Sequence, residues 1–261
     1  MKSGLLVSSG HNLAASTLLA GLAAEGAAPA VVYCVRVPGW RLLVRVLGRN
    51  GVRGAWSRVV ARATGGRRGR DLAVAELGGL AAQRRWRGWN ETVPRLCGRL
   101  NIPCVFTSSM NAPAIAADVR ARRLDLLLNM SGEILRLPLI GAPSVGILNG
   151  HTGPLPEVRG FNAVEWSLLL GIAPTLSVHF IDAGVDTGAV VTRAGIPWQR
   201  GETIAQLRAR ASAVQVATLV DVVREQRWRA RPAVAPAPGP QFYAMHPRLR
   251  VLVERHRLGI G

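Results

Sequence analysis

Gly4-Leu5-Leu6-Val7-Ser8-Ser9-Gly10-His11-Asn12-Leu13 is where the fold can be read. The apolar run is short and ends in a turn sequence. It predicts a buried strand over residues 4–9 rather than a signal peptide. Leu13, Leu18, Leu19 and Leu22 then recur on one face, predicting a helix from Leu13 to Glu25 with Gly26 as its stop. The valine-rich stretch Ala30–Val35 reads as a second strand. Strand, glycine turn, helix, strand is one βαβ unit, and such units build parallel sheets covered by helices.

The alternation resumes after Asn90. Helices are predicted over Thr92–Leu100, with Pro94 in the first turn, and over Ala112–Arg122, Asn162–Leu170 and Glu202–Glu225. Strands are predicted over Pro103–Thr107, Leu124–Asn129, Val145–Asn149, Thr175–Phe180 and Ala189–Ile196. The expected fold is α/β, a doubly wound and mostly parallel sheet with a short C-terminal extension. Residues 1–228 form its main domain. Residues 36–90 differ from their surroundings: they are rich in arginine and carry short amphipathic pieces at Trp40–Leu47 and Ala55–Ala63. They read as a helical insertion, with Arg67-Arg68-Gly69-Arg70 as an exposed loop. The remainder, 229–261, reads as a Pro-rich linker centred on 232–240 followed by a basic helix over Met245–Leu258.

Composition narrows the classes. The chain of 261 residues is 49% hydrophobic, enough for a sizeable core, yet no apolar run is long enough to span a bilayer. Cys34, Cys97 and Cys104 share no metal-ligand spacing, so no metal is expected, and a sparse, odd set fits a reducing cytoplasm. The net charge of +18 favours anionic partners, but Lys2 is the only lysine and the arginine excess matches a GC-rich coding bias. No helix shows a basic stripe interleaved with aromatics, so nucleic acid is not an expected partner.

Two polar segments interrupt this pattern. Ile147-Leu148-Asn149-Gly150-His151-Thr152-Gly153-Pro154-Leu155-Pro156-Glu157-Val158-Arg159-Gly160 sets an amide donor and an imidazole two residues apart, between an apolar run and a Pro/Gly loop. Val178-His179-Phe180-Ile181-Asp182-Ala183-Gly184-Val185-Asp186-Thr187-Gly188 adds a carboxylate in a turn. A donor, a proton carrier and an acid are the parts that acyl transfer to an amine requires. Taken singly, each has a plain structural reading: Asn149 as a cap after a strand, His151 as a buried histidine, and Asp186-Thr187-Gly188 as an ordinary turn.

In linked order, Asn149-Gly150-His151, Pro154-Leu155-Pro156, Arg159-Gly160, Ser177-Val178-His179 with Ile181-Asp182, and Val185-Asp186-Thr187-Gly188 resemble the folate-dependent formyltransferase family. That family takes in glycinamide ribonucleotide transformylase, methionyl-tRNA formyltransferase and the sugar N-formyltransferases. The resemblance implies a Rossmann-like variant fold and an N-formyltransferase that uses N10-formyltetrahydrofolate. It implies Asn149, His151 and Asp186 as the catalytic set, with Asn149 and a protonated His151 donating to a developing oxyanion and Asp186 taking the amine proton. Met130, Glu133, Ile134, Leu135, Asp182 and Gly184 correspond to the family's folate site. Ser9, Gly10, His11 and Asn12 correspond to its substrate-binding turn. His179 is expected to support the site, and Arg159-Gly160 to fix the loop.

The implied acceptor is a primary amine on a small molecule, with a nucleotide-linked amino sugar or an antibiotic precursor as first candidates. Homodimer assembly is left open. Gly150 and Thr152-Gly153 depart from the family pattern, and both are expected to open space near the acceptor. Two alternatives stand beside this reading: transfer of a formimidoyl group, and a catalytically inactive basic binding module.

Overall fold

Five parallel strands end on the same side of the molecule, and there the polar residues of the two segments collect. A computed structural model describes residues 1–36, 69–230, 237 and 239–260. In chain order the strands are β1 (Ser3–Val7), β2 (Val31–Val35), β3 (Cys104–Thr107), β4 (Leu126–Met130), β5 (Gly146–His151), β6 (Arg159–Gly160), β7 (Thr175–Phe180), β8 (Val190–Gly195) and β9 (Gln241–Phe242). The helices are α1 (Leu13–Ala24), α2 (69–84), α3 (Val93–Arg99), α4 (Pro113–Ala121), α5 (Ala163–Leu170), α6 (Ile204–Arg224) and α7 (Pro247–His256). The main sheet runs β3-β2-β1-β4-β5-β7-β8, and β6 and β9 form a separate pair. β1 to β5 are parallel, whereas β7 and β8 run antiparallel to their neighbours.

Strand periodicity divides the core. Leu5, Val7, Leu126, Leu128 and Leu148 pack on one face with α1 and α6, while Leu6, Leu127 and Ile147 pack on the other with Ile115 and Val119 of α4. Helices on both faces of a mostly parallel sheet are the expected doubly wound layout. Gly21 permits close helix contact: a Cβ there would lie 2.9 Å from both Trp86 and Val220. Asn12 caps α1 by accepting from Ala15 N at 3.1 Å, and Thr203 and Gln206 form a capping box at the start of α6.

The expected loop at Arg67–Arg70 differs where it is described: Gly69 and Arg70 are already helical, and the two arginines before them lie outside the described residues. The expected pieces Trp40–Leu47 and Ala55–Ala63 also lie outside them. Leu77, Ala81 and Trp86 are part of the main core, so the described part of the insertion packs into the fold. The C-terminal extension holds an element that periodicity did not reveal. β9 pairs with β6 in parallel, Arg159 opposite Gln241 and Gly160 opposite Phe242. α7 docks through Val253 and through Arg250, which lies 3.8 Å from the buried Glu165 of α5. Arg208 of α6 pairs with the same carboxylate. Among the described residues no helix is long and apolar enough to cross a membrane, and no group of His, Cys, Asp and Glu is arranged to hold a metal.

Candidate active site

Residues two apart on a strand share a face, so Asn149 and His151 point to the same side of β5. Register then supplies their neighbours. Asn129 on β4 sits opposite Asn149, and Asn149 opposite His179 on β7. The row is hydrogen-bonded: Asn129 Nδ2 donates to Asn149 Oδ1 at 3.1 Å, and Asn149 Nδ2 lies 3.1 Å from His179 Nε2. His179 Nδ1 lies 2.9 Å from the Phe180 carbonyl, which can only accept, so this nitrogen carries the proton. Asn149 Oδ1 is taken by Asn129, so its Nδ2 faces the ring and donates to Nε2. An amide nitrogen has two hydrogens, and the second is left for the cavity.

Asp186 closes the group from a turn. Its Oδ1 lies 3.5 Å from His179 Nε2, and its Oδ2 lies 3.4 Å from His151 Nδ1 and accepts from Gly160 N at 2.9 Å. Asp186 has a left-handed backbone, φ 53°, a conformation that neighbouring contacts must hold for a residue with a Cβ. Asp182 Oδ1 accepts from Gly184 N at 3.0 Å and from Thr187 Oγ1 at 2.5 Å. Arg159 donates from Nη1 to Val185 O at 3.0 Å and from Nε to Gly239 O at 2.7 Å. Burial alone would raise the Asp186 carboxyl. The Gly160 N–H and the two imidazoles beside it outweigh burial and hold the group below the usual carboxylate range.

A cavity of about 340 Å³ opens on these groups. Of the anticipated residues, Glu133, Ile134, Leu135, Asn149, Gly184 and Asp186 line it, joined by Asn129, His179, Ile181, Phe161, Gln241 and Tyr243. None of the described lining residues is Lys or Arg, although the chain carries a net charge of +18.

Several expectations change here. His151 does not line the cavity. Its Nε2 lies 2.8 Å from the Val158 carbonyl, its other nitrogen faces Asp186, and burial pushes its pKa down against the pull of that carboxylate. A protonated His151 donating into the cavity therefore does not match this geometry. The imidazole that faces the cavity is His179.

Met130 is part of the core, and its carbonyl accepts from Ser8 N at 3.2 Å. Asp182 acts through the turn, and Glu133 is occupied with Ser109 Oγ at 2.8 Å and Met110 N at 3.2 Å. Ser9, Gly10, His11 and Asn12 lie outside the cavity lining. Asn12 is spent on capping and on Ser8, and the Gly10 carbonyl accepts from Val93 N at 2.9 Å.

The two departures from the family pattern also serve packing rather than space. A Cβ on Gly150 would meet Gln215, whose Nε2 donates to Gly150 O at 2.6 Å. A Cβ on Gly153 would lie 2.7 Å from His151 Nε2 and 2.9 Å from Val158 O, where the two bond.

The fold and the site define an α/β protein with a polar cleft beyond the carboxyl ends of its parallel strands, the usual position for a ligand in such sheets. Residues 97–223 match the formyl transferase family model. The methionyl-tRNA formyltransferase of Roseiflexus sp. (strain RS-1) is 29% identical over 142 residues, 54% of this chain and 43% of that protein. The chain thus spans less than half the length of that curated relative. Glycinamide ribonucleotide transformylase 1 from Symbiobacterium toebii superposes with a TM-score of 0.58 at 21% identity, covering 90% of this chain and 91% of that one. A sugar N-formyltransferase from Shewanella sp FDAARGOS_354 superposes with a TM-score of 0.58 at 12% identity, covering 99% and 88%. At such identities the two structures show a shared fold.

Proposed function

We infer that the protein is an N-formyltransferase that moves a formyl group from N10-formyltetrahydrofolate to a primary amine of a small molecule. The observation that carries this is the row Asn129–Asn149–His179 with Asp186 3.5 Å from the imidazole, all four lining one cavity. The cavity suits the donor: Ile134, Leu135, Ile181 and Val185 offer apolar walls for a flat heterocycle. When bound, the folate supplies the formyl carbon. Asn149 directs its remaining N–H at the oxygen where negative charge gathers. Asp186, ionised and 3.5 Å from His179, is placed to take the proton that the amine loses. His151 acts behind it as a positioning residue, held by the Val158 carbonyl and packed against Asp186.

An amino sugar or a natural-product precursor is the acceptor class this reading favours, since a cavity lined by Glu133 and Asp186 without a described cation receives an amine better than a phosphate. Residues 1–228 are the catalytic domain on this reading, and 229–261 are an extension from which Gln241 and Tyr243 line the cavity. Incubating the protein with N10-formyltetrahydrofolate and a panel of amines, then weighing the products, tests the reading. A product heavier by one CO is expected. Loss of this product is expected in Asn149→Ala, by about 10²–10³ in rate. Undiminished transfer by both Asn149→Ala and Asp186→Asn refutes the assignment.

A further inference from the structure

Asn149, His179, Asp186 and the apolar wall all lie within residues 97–223, the stretch shared with the family. Gln241 and Tyr243 line the same cavity from outside it. Both are carried on or beside β9, whose pairing with β6 continues as Phe161 N donates to Phe242 O at 3.0 Å. Phe242, between them, stacks on Trp166 with ring centroids 4.9 Å apart, and Trp166 Nε1 donates to Tyr243 O at 2.9 Å. Strand alternation therefore leaves Gln241 and Tyr243 on the cavity side of a backbone that is firmly held. Tyr243 is nevertheless 70% exposed. An aromatic ring and a free amide on a fixed backbone at a cavity mouth are the features of a ligand contact rather than of packing.

Ligand chemistry follows from what surrounds them. Glu133 and Asp186 are the charged groups among the described lining residues, so the part of a ligand held here is neutral apart from its amine. A sugar ring presents a C–H face that packs on an aromatic ring and hydroxyls that an amide can both donate to and accept from. We propose that Gln241 and Tyr243 form the acceptor-selecting lip of the cavity and grip the ring of an amino sugar, an inference that rests on the formyl-transfer reading above. The ring can arrive as a free glycoside or attached to a nucleoside diphosphate whose phosphates stay outside the cavity.

The test compares wild type, Gln241→Ala and Tyr243→Ala. Acceptors are methyl glycosides of amino-deoxyhexoses, nucleoside-diphosphate forms of the same sugars, and glycinamide ribonucleotide; folinic acid binding is measured by calorimetry. Wild type is expected to formylate a sugar in one of its two forms, which identifies the source of the ring. Each variant is expected to raise KM for that sugar about tenfold, the loss of one good contact. Folinic acid affinity is expected to stay within about twofold. Equal weakening of folinic acid would assign the lip to the folate tail and overturn the proposal. So would an unchanged sugar KM, or turnover of no sugar by a protein that still binds folinic acid. Absence of folinic acid binding in wild type would strike the formyl-transfer reading itself.

Discussion

Asp186 meets His151, His179 and the Gly160 N–H at once, and its left-handed backbone is held by contacts to the residues on either side. Replacing it with Asn keeps the shape and removes the charge, so transfer is expected to fall about 10²–10⁴-fold with little change in folinic acid affinity. Stopped assays paired with calorimetry check this. His151 carries a pH prediction. Burial holds its folded-state pKa below the ordinary imidazole value, so the unfolded chain binds the proton more readily. Stability is therefore full above about pH 6.5 and declines as the pH falls below it. Asp186 acts in a lower window: its depressed pKa contributes stability above about pH 3.9 that is lost as the pH falls through the folded value. Thermal scans between about pH 7.5 and 5 should show a falling midpoint, and His151→Asn should flatten that fall. An unchanged slope in the variant would show that His151 is not the group responsible. At this scale the sequence made Asn149 and Asp186 legible because they stand at the ends of regular patterns. It does not show that His179, rather than His151, lines the cavity, because only pairing across β5 and β7 decides which imidazole faces it.

The β6–β9 ladder is two residues per strand, yet it delivers the Gly160 N–H to Asp186 and Tyr243 to the cavity. Gly160 has φ 94°, and a Cβ there would lie 2.1 Å from the Phe242 carbonyl, which belongs to backbone and cannot swing aside. Gly160→Ala is expected to cost at least about 1–3 kcal/mol, read by chemical denaturation. It should also speed hydrogen exchange at the Phe161 amide, which donates to Phe242 O. Arg159→Ala, by releasing Val185 O and Gly239 O, should weaken activity while leaving the main sheet intact by circular dichroism. The main strands and helices were expected nearly where they stand, since each carries a full period of apolar residues. β6 and β9 were not, because two residues after a glycine- or proline-rich stretch show no period.

Across the whole molecule, α7 is fastened by charge as well as by Val253 and Leu258. Glu165 is 1% exposed and faces Arg208 and Arg250 from different helices. Glu165→Ala would leave both guanidinium groups without this partner and is expected to cost about 1–3 kcal/mol. Hydrogen exchange should report that loss first in α7, because the sheet does not depend on it. The hydrophobic periods and turn signals of the sequence were sufficient for the α/β class, the strand ends that carry Asn149, and the turn that carries Asp186, since each is a local consequence of side-chain pattern. Tertiary structure alone decided which imidazole faces the cavity, that Gly150 and Gly153 serve packing, and that Gln241 and Tyr243 return to line the cavity. Those are contacts between residues far apart in the chain, and they follow from register and packing, which no local period records.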